Sequence, residues 1–257
     1  MARSSNLWSI SLLALALCAL APSVGAAEVH CDVESDYDVT LNERSLIFTR
    51  DDASPKALVM RQGKLFVDDQ WVSLDAGDSE RLRQFEEGFR QTMPLAAEVA
   101  ADAVDIAFSA LGEVAAGLGN DPASTRKKLE QARVQMNTRM ARDISPTHFS
   151  EKALGESIGQ TVAEVLPTLT GDIVGGALAA ALSGDSERLE RMQNLDQEIE
   201  ARLAPRTKAL EGRAQKLCDS MLALDRLDNA LAYRLPDGRA LELLRHSPDQ
   251  SDTSGKH

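Results

Sequence analysis

The chain has 257 residues, and its 40 acidic side chains outnumber its 28 basic ones, which gives a formal net charge of −12 at pH 7. Phosphate backbones are bound by stripes of basic side chains, so this balance excludes nucleic acid from the partners that we expect, and it also disfavours an anionic bilayer surface. Aromatic residues make up 4% of the chain, which leaves little material for the aromatic platforms that bind carbohydrate.

Residues 1–26 have the pattern of a cleaved secretory signal. Arg3 supplies the positive charge, an apolar run follows at residues 7–20, and small side chains precede a cleavage point between Ala26 and Ala27. The apolar run is shorter than the roughly 20 residues that a membrane-spanning helix needs. We therefore expect export to the periplasm, loss of the signal, and no stable membrane insertion afterwards.

Removal of the signal leaves two cysteines, Cys31 and Cys218, because Cys18 lies in the leader. An even number of cysteines in an oxidising compartment favours a disulfide. A reactive thiol or a metal site is the alternative, but neither cysteine is in a C-x-x-C motif, and His30 is a lone neighbouring ligand. A Cys31–Cys218 bridge would close a loop over most of the mature chain and stabilise it by about 5 kcal/mol on chain-entropy grounds.

Residues 27–76 are rich in β-branched and apolar residues and are punctuated by turn signals. This pattern predicts a small antiparallel meander that needs cover on one face. The expected strands are residues 45–49, 57–60, 64–67 and 71–74.

Residues 77–232 read as a bundle of long helices that forms one folded unit with the meander. Asp78 or Ser79 can cap the first helix, Pro94 starts the second, and Asp121-Pro122 is a strong start signal for the third. The expected helices are residues 78–92, 94–118, 121–142, 151–182 and from 185 onward.

The last helix carries a heptad pattern of leucines that is broken by Asp196. Arg206 and Arg213 occupy its companion seam, and Pro205 is expected to kink it. A heptad seam indicates lengthwise helix packing, for which we favour an intramolecular partner within residues 95–142 over a homodimeric coiled coil. The repeat comprises Leu189, Leu203, Leu210, Leu217, Leu224 and Leu231.

Residues 173–184 carry no charged side chain and include Gly175-Gly176 and a run of alanines. As a helix this segment would extend about 18 Å, against a hydrocarbon core of about 30 Å. We expect tight packing inside the bundle, with membrane-surface binding as the alternative.

The third helix is locally basic. Its cations could bind an anionic partner or a lipid headgroup, but we favour pairing with the acidic face formed by Glu98, Asp102, Asp105 and Glu113. Against a single Glu130, residues 126–142 contain Arg126, Lys127, Lys128, Arg133, Arg139 and Arg142.

No residue pattern indicates a catalytic, cofactor-binding or metal site, and we expect no cofactor. The chain has no G-x-S-x-G, H-E-x-x-H or P-loop sequence. His148 and Ser150 read as a turn and a helix N-cap around Pro146. Alternating acidic residues at 32, 34, 36 and 38 fit a charged sheet edge better than a calcium loop.

Several local sequences are similar to the YggN-like family of secreted gammaproteobacterial proteins, which has a domain of unknown function. They are Cys31, residues 63–67 with 71–74, residues 82–85, residues 90–94 and residues 216–218. The resemblance covers roughly residues 30–230 and implies a periplasmic location, a bridge between Cys31 and Cys218, and no known activity. Residues 233–257 look like an extension beyond the family's usual end.

These patterns together predict an α+β fold in which a small N-terminal antiparallel β-meander packs against a bundle of long α-helices. Residues 233–257 would be a C-terminal extension that is partly disordered, above all after His246. For function we expect a non-enzymatic periplasmic protein that binds unidentified protein partners or supports the envelope, with a homo-oligomer as one form. The alternatives are an amphipathic protein that binds lipid or a membrane surface, and an enzyme with an unrecognised site.

Overall fold

The computed structural model describes residue 31 and residues 33–184 and 186–246. It shows an α+β fold in which an antiparallel sheet is followed by four long helices. The helices are α1 (Ala76–Leu118), α2 (Pro122–Asp143), α3 (Glu151–Ser183) and α4 (Ser186–Asn229). The strands are β1 (Val33–Glu34), β2 (Asp38–Leu41), β3 (Leu46–Thr49), β4 (Ala57–Arg61), β5 (Lys64–Val67), β6 (Gln70–Trp71), β7 (Ile144–Ser145), β8 (His148–Ser150) and β9 (Arg245–His246).

The main sheet has the strand order β6-β5-β4-β3-β2-β8-β7, with every neighbouring pair antiparallel. The predicted strands at β3, β4 and β5 are confirmed, whereas the expected strand at residues 71–74 is reduced to β6. Three strands were not predicted. β2 adjoins β3, and the β7–β8 hairpin, inserted between α2 and α3, pairs with β2 through Thr40 and Leu41.

Alternate residues of the strands face the helices, as a half-buried sheet requires. In β3, Leu46 and Phe48 are fully buried, and in β4 the same is true of Leu58 and Met60. This face packs on the first half of α1. The helical side of the core is made of Leu82, Phe85, Phe89 and Met93. The apolar face of the sheet is therefore covered by α1, as the alternation of its residues predicts.

Helix α1 is continuous through Pro94, so the prediction of two separate helices at this point is wrong. Proline removes one backbone donor from the helix interior. Met93, directly before it, and Phe89, one turn earlier, are both buried in the core, and this packing favours the continuous helix. Helix α4 likewise continues through Pro205.

The four helices run antiparallel to their neighbours. α4 lies along α1, with Leu224 against Gly88 near one end and Leu195 against Gly117 near the other. On the other side of α1 lies α2, and α3 packs on α2, where the hydroxyl of Ser157 donates to Asp143 at 3.0 Å. The heptad seam of α4 thus has an intramolecular partner, which is α1.

Hydrogen-bond partners on α1 explain why the seam of α4 can contain two arginines, Arg206 and Arg213. Arg213 donates to Asp102 of α1, and Arg206 donates to the hydroxyl of Ser109 at 3.0 Å. The acidic face of α1 is therefore used to dock α4, so these arginines are compatible with lengthwise packing.

The chain after α4 contributes to the core, although residues from 233 onward were expected to form an extension. Leu235, Leu241, Leu243 and Leu244 are all buried, and β9 pairs with β1 in a separate two-stranded sheet. The four side chains fill the end of the core between α4 and the sheet. The predicted disorder after His246 lies outside the described residues.

A disulfide joins Cys31 to Cys218, as predicted, with the two Cα atoms 5.4 Å apart. It fixes the chain just before β1 to the buried side of α4. The strand beside it, β1, belongs to the two-stranded sheet rather than to the seven-stranded one. The bridge therefore ties both chain ends to α4 and does not link the main sheet directly to the bundle.

Candidate functional site: an apolar groove between α1 and α3

An open groove of about 540 Å³ runs between α1 and α3, with α2 as its floor. Among its lining residues Thr161 is the one with a polar side chain, and its hydroxyl already donates to the Ser157 carbonyl at 2.9 Å. The lining consists of Ala100, Ala103, Val104, Ala107, Phe108, Leu111, Met136, Met140, Leu154, Ile158, Thr161, Val162, Val165, Leu166 and Leu169.

The groove stays open because of small residues and helix order. α1 and α3 are both antiparallel to α2, which separates them along most of their length. The α1 wall presents alanines at positions 100, 103 and 107, which are too short to reach across. Interiors normally pack without such gaps, so this space is available to an occupant.

One end of the groove is closed by a second, smaller apolar cluster. Ala115, Leu129 and Leu169, one from each of α1, α2 and α3, are buried together there. Phe108 packs against both this cluster and the main core. The groove is thus bounded by packed side chains and is open to solvent along its length.

Beyond the closed end, the apolar surface of α3 continues in the open. Val174 and Leu178 are more than half exposed there, as are Val162 and Leu166 within the groove, and Leu182 is 88% exposed. The prediction that residues 173–184 pack tightly inside the bundle is therefore wrong. The physical reason is that α4 returns along α1 rather than along α3.

By length and composition α3 could cross a membrane. It has 33 residues, its most apolar 18-residue window has a mean hydropathy of 1.5, and 22% of that window is buried. One such helix is weak support for a span, because core helices of soluble proteins reach the same hydropathy. The low burial, however, distinguishes α3 from an ordinary core helix.

The basic face of α2 finds fewer acidic partners on α1 than predicted. Arg133 contacts Asp105 at 2.8 Å and Glu130 on its own helix at 2.6 Å. The other predicted acceptors on α1 pair with α4 instead, since Arg213 lies against Glu98 and Asp102 and Arg202 lies 2.7 Å from Glu113.

Three buried carboxylates could be mistaken for catalytic groups. Burial would raise the pKa of Asp78, but hydrogen bonds from the backbone of Ala232 and Tyr233 and from Arg81 hold it below its usual value. In the same way burial would raise the pKa of Asp143, but hydrogen bonds from Arg142 and Ser157 outweigh it and hold the pKa below its usual value.

Asp228 is the third, and there burial prevails and raises its pKa to about 7, despite hydrogen bonds from Leu244 and Leu243. A perturbed carboxyl is a candidate catalytic group only where it faces a cleft. None of the three lines a described pocket, and each receives hydrogen bonds that hold chain segments together. We assign them to structure.

The structure also locates the other residues that were considered as candidate sites from the sequence. Ser150 caps α3, where its hydroxyl accepts from the N–H of Ala153, as predicted. Of the alternating acidic residues, Glu34 and Asp36 pair with Arg245 of β9. Within the described ranges no three His, Cys, Asp or Glu side chains form a group that could hold a metal ion. The cleavage point at Ala26 and Ala27 lies outside the described residues.

A family model described as a protein of unknown function, DUF2884, matches residues 31–244. The chain belongs to the DUF2884 family. The match runs through the C-terminal segment that packs in the core, so the family's extent does not end near residue 230 as expected. No curated protein matches the chain, and no solved structure does. The finer resemblance to YggN-like secreted proteins stays a prediction.

Sequence reasoning missed the groove of this DUF2884 protein. One signal was present, because α3 has apolar residues on more than one face: Leu154, Val165 and Leu169 point inward, while Leu166 and Leu178 are exposed. A helix that is apolar all round is buried or meets a membrane or a partner. The size of the opening, however, depends on the distance between helices, which no local pattern specifies.

Proposed function

We propose that this DUF2884 protein is an exported, non-enzymatic envelope protein that binds an amphipathic helical segment of another protein along the groove and the exposed face of α3. The observation that carries the proposal is the continuity of these two apolar surfaces. Helix-in-groove recognition uses an apolar stripe of the ligand helix against such a surface.

The length of the surface favours a protein segment over a small ligand. From Leu154 to Leu169 the groove wall covers about 22 Å of helix, and from there to Leu182 the exposed face adds about 20 Å. A small apolar ligand would fill the groove and leave Val174, Leu178 and Leu182 in water. A partner helix of several turns covers both parts.

Charge gives the partner a further property. Between residues 153 and 183, α3 carries Glu156, Glu164 and Asp172 and no basic residue. Charge complementarity steers association and rejects partners of like charge. The bound segment is therefore expected to flank its apolar stripe with lysine or arginine.

The periplasm is the compartment that we propose. Two observations support it: the secretory pattern of residues 1–26, and the pairing of Cys31 with Cys218. Disulfides persist in oxidising compartments and are rare in the cytosol.

A second candidate is binding of lipid acyl chains or a membrane surface, and the hydropathy and low burial of α3 favour it. Lipid binding would use the same residues, so it must be separated by experiment. Co-sedimentation with uncharged phosphatidylcholine vesicles makes the separation, because they offer acyl chains without an anionic headgroup and the protein-binding proposal expects the purified chain to stay in the supernatant.

The test of the main proposal begins with a photo-crosslinking amino acid at Leu166 or Leu178 in the exported protein. Both positions should capture the same partner, and the crosslinked peptide should lie in an amphipathic helix. Binding of the purified pair is then compared for Val162→Asp and Val134→Asp. The two valines are equally exposed, at 54%, but only Val162 lines the groove.

We expect Val162→Asp to weaken binding at least tenfold, while Val134→Asp stays within twofold of the wild type. Crosslinks that join only copies of this chain would replace the proposal by a homo-oligomer. Equal loss from both variants would show that the groove is not the binding surface.

A further inference from the structure

A second cleft, of about 440 Å³, lies on the other side of the α1–α2 contact, where α4 joins them. Four arginines line it, Arg126 and Arg133 from α2 and Arg202 and Arg206 from α4, against two carboxylates, Glu113 and Glu130. The protein as a whole has a net charge of −12. A local excess of positive charge in such a chain requires an explanation.

Two of these arginines are neutralised within the fold. Arg133 makes two hydrogen bonds to the carboxylate of Glu130, at 2.9 and 2.6 Å, and Arg202 lies 2.7 Å from Glu113. Both lining carboxylates are used in this way. The positive charge of the other two arginines is therefore not cancelled by the cleft itself.

Arg126 and Arg206 are the remaining pair. Arg206 donates to the neutral hydroxyl of Ser109 at 3.0 Å, and neither arginine has a carboxylate partner among the described side chains. Two guanidinium groups that line one cleft without a counter-charge repel each other. A bound anion would remove that repulsion.

The cleft also has free volume where an anion would lie. Gly112 is on its α1 wall, and a Cβ added there would meet no atom within 4 Å. Planar guanidinium groups match the oxygens of phosphate in pairs, which makes arginine the preferred residue for phosphate recognition. The acidic remainder of the surface repels an extended polyanion, so a compact ligand is favoured.

We propose that this arginine cleft, formed by Arg126, Arg206 and the space above Gly112, binds a compact phosphate ester. The phosphate is that of a soluble metabolite or of a phospholipid headgroup, and both share the chemistry that the arginines recognise. This site is separate from the apolar groove and does not depend on the function proposed for it.

The test measures binding of glycerol 3-phosphate by calorimetry and co-sedimentation with vesicles of phosphatidylglycerol and phosphatidylethanolamine, with phosphatidylcholine vesicles as the uncharged comparison. Two cleft variants are compared: the double variant Arg126→Glu and Arg206→Glu, and Gly112→Leu, which fills the space without altering charge. The double variant Arg44→Glu and Arg61→Glu changes net charge equally at exposed positions on the sheet.

We expect the wild type to bind one of the two phosphate sources, both cleft variants to bind at least tenfold more weakly, and the sheet variant to stay within about threefold. Binding of glycerol 3-phosphate assigns a soluble ester; binding confined to phosphatidylglycerol vesicles assigns a lipid headgroup. Circular dichroism melting checks that the variants are folded. If the double charge variant is unfolded, the test relies on Gly112→Leu. The proposal is overturned if the wild type binds neither source, or if a folded cleft variant binds as the wild type does.

Discussion

The carboxylate of Asp228, at the end of α4, accepts a hydrogen bond from the backbone N–H of Leu243 at 2.7 Å. The same oxygen accepts from Leu244 at 3.0 Å, while the other carboxylate oxygen has no hydrogen-bond partner. Asp228 is 2% exposed. Asp228 therefore helps to hold the C-terminal segment in the core, and it does so with a carboxyl group that is costly to ionise.

Asp228→Asn is expected to change the pH dependence of stability. Burial raises the pKa of Asp228 to about 7, so the folded state binds a proton more tightly than the unfolded state. The stability that this proton supplies is fully present below pH 4 and is lost as the pH rises to about 7. The loss is at most about 4 kcal/mol, at 1.36 kcal/mol per pKa unit.

Asparagine keeps an acceptor for Leu243 and Leu244 and is neutral at every pH. We expect the free energy of unfolding of Asp228→Asn to exceed that of the wild type increasingly from pH 4 to pH 7.5. Urea denaturation followed by circular dichroism measures it. A constant difference between the two proteins over this range would show that Asp228 does not titrate there.

Loss of the disulfide should destabilise the protein without changing its fold. Cys31→Ser is expected to lower the free energy of unfolding by about 2–5 kcal/mol, because the bridge restrains a loop of 187 residues in the unfolded chain. The double variant Cys31→Ser and Cys218→Ser serves as control and should lose about the same amount. If the reduced wild type unfolds at the same urea concentration as the oxidised protein, the bridge is not a stabilising element.

The turn between β4 and β5 should be sensitive to a single methyl group. Gly63 has φ +74°, and a Cβ there would collide with the backbone carbonyl oxygen of Ser79. Gly238 has φ +86° but open space around it. A left-handed residue costs alanine about 1–2 kcal/mol, so Gly238→Ala should lose that amount.

Gly63→Ala adds the collision to the same backbone cost. We expect it to lose about 2 kcal/mol more than Gly238→Ala in denaturant unfolding. Similar losses from both substitutions would mean that α1 can shift away from the turn at little cost.

Truncation of two leucines of α3 should destabilise the protein by very different amounts. Leu169 is buried in the cluster that closes the groove, whereas Leu182 is almost fully exposed. We expect Leu169→Ala to cost about 2–5 kcal/mol and Leu182→Ala less than about 0.5 kcal/mol. A large cost for Leu182→Ala in the purified monomer would show that this face is covered within the protein.

Local patterns predicted those elements whose signals lie within a few residues. Strands β3 to β5 follow from alternation and from the turn at Gln62 and Gly63, and the start of α2 follows from Asp121 and Pro122. β2 and the β7–β8 hairpin were not predicted because they are short and pair with each other across about a hundred residues. Their stability depends on that pairing.

The candidate site could be predicted less well than the fold. The apolar character of residues 173–184 is evident from the sequence, but the prediction of tight packing rests on the length of the segment, which is too short to span a bilayer. Length does not specify whether a neighbouring helix covers the segment. The sequence places Arg206 and Arg213 in the companion seam of α4, and only the structure shows the groups opposite them, Ser109 and Asp102. Which partners a helix face meets depends on helix order.

The sequence by itself determined the α+β division, the pairing of Cys31 with Cys218 and the start of α2, because these features follow from local composition and spacing. Only the tertiary structure decided which apolar and charged surfaces stay uncovered. α4 packs along α1 and not along α3, so the apolar groove and the face ending at Leu182 remain uncovered, and Arg126 and Arg206 come to line the same cleft. These outcomes depend on distances between elements far apart in the chain, and such distances are fixed by packing of the whole core.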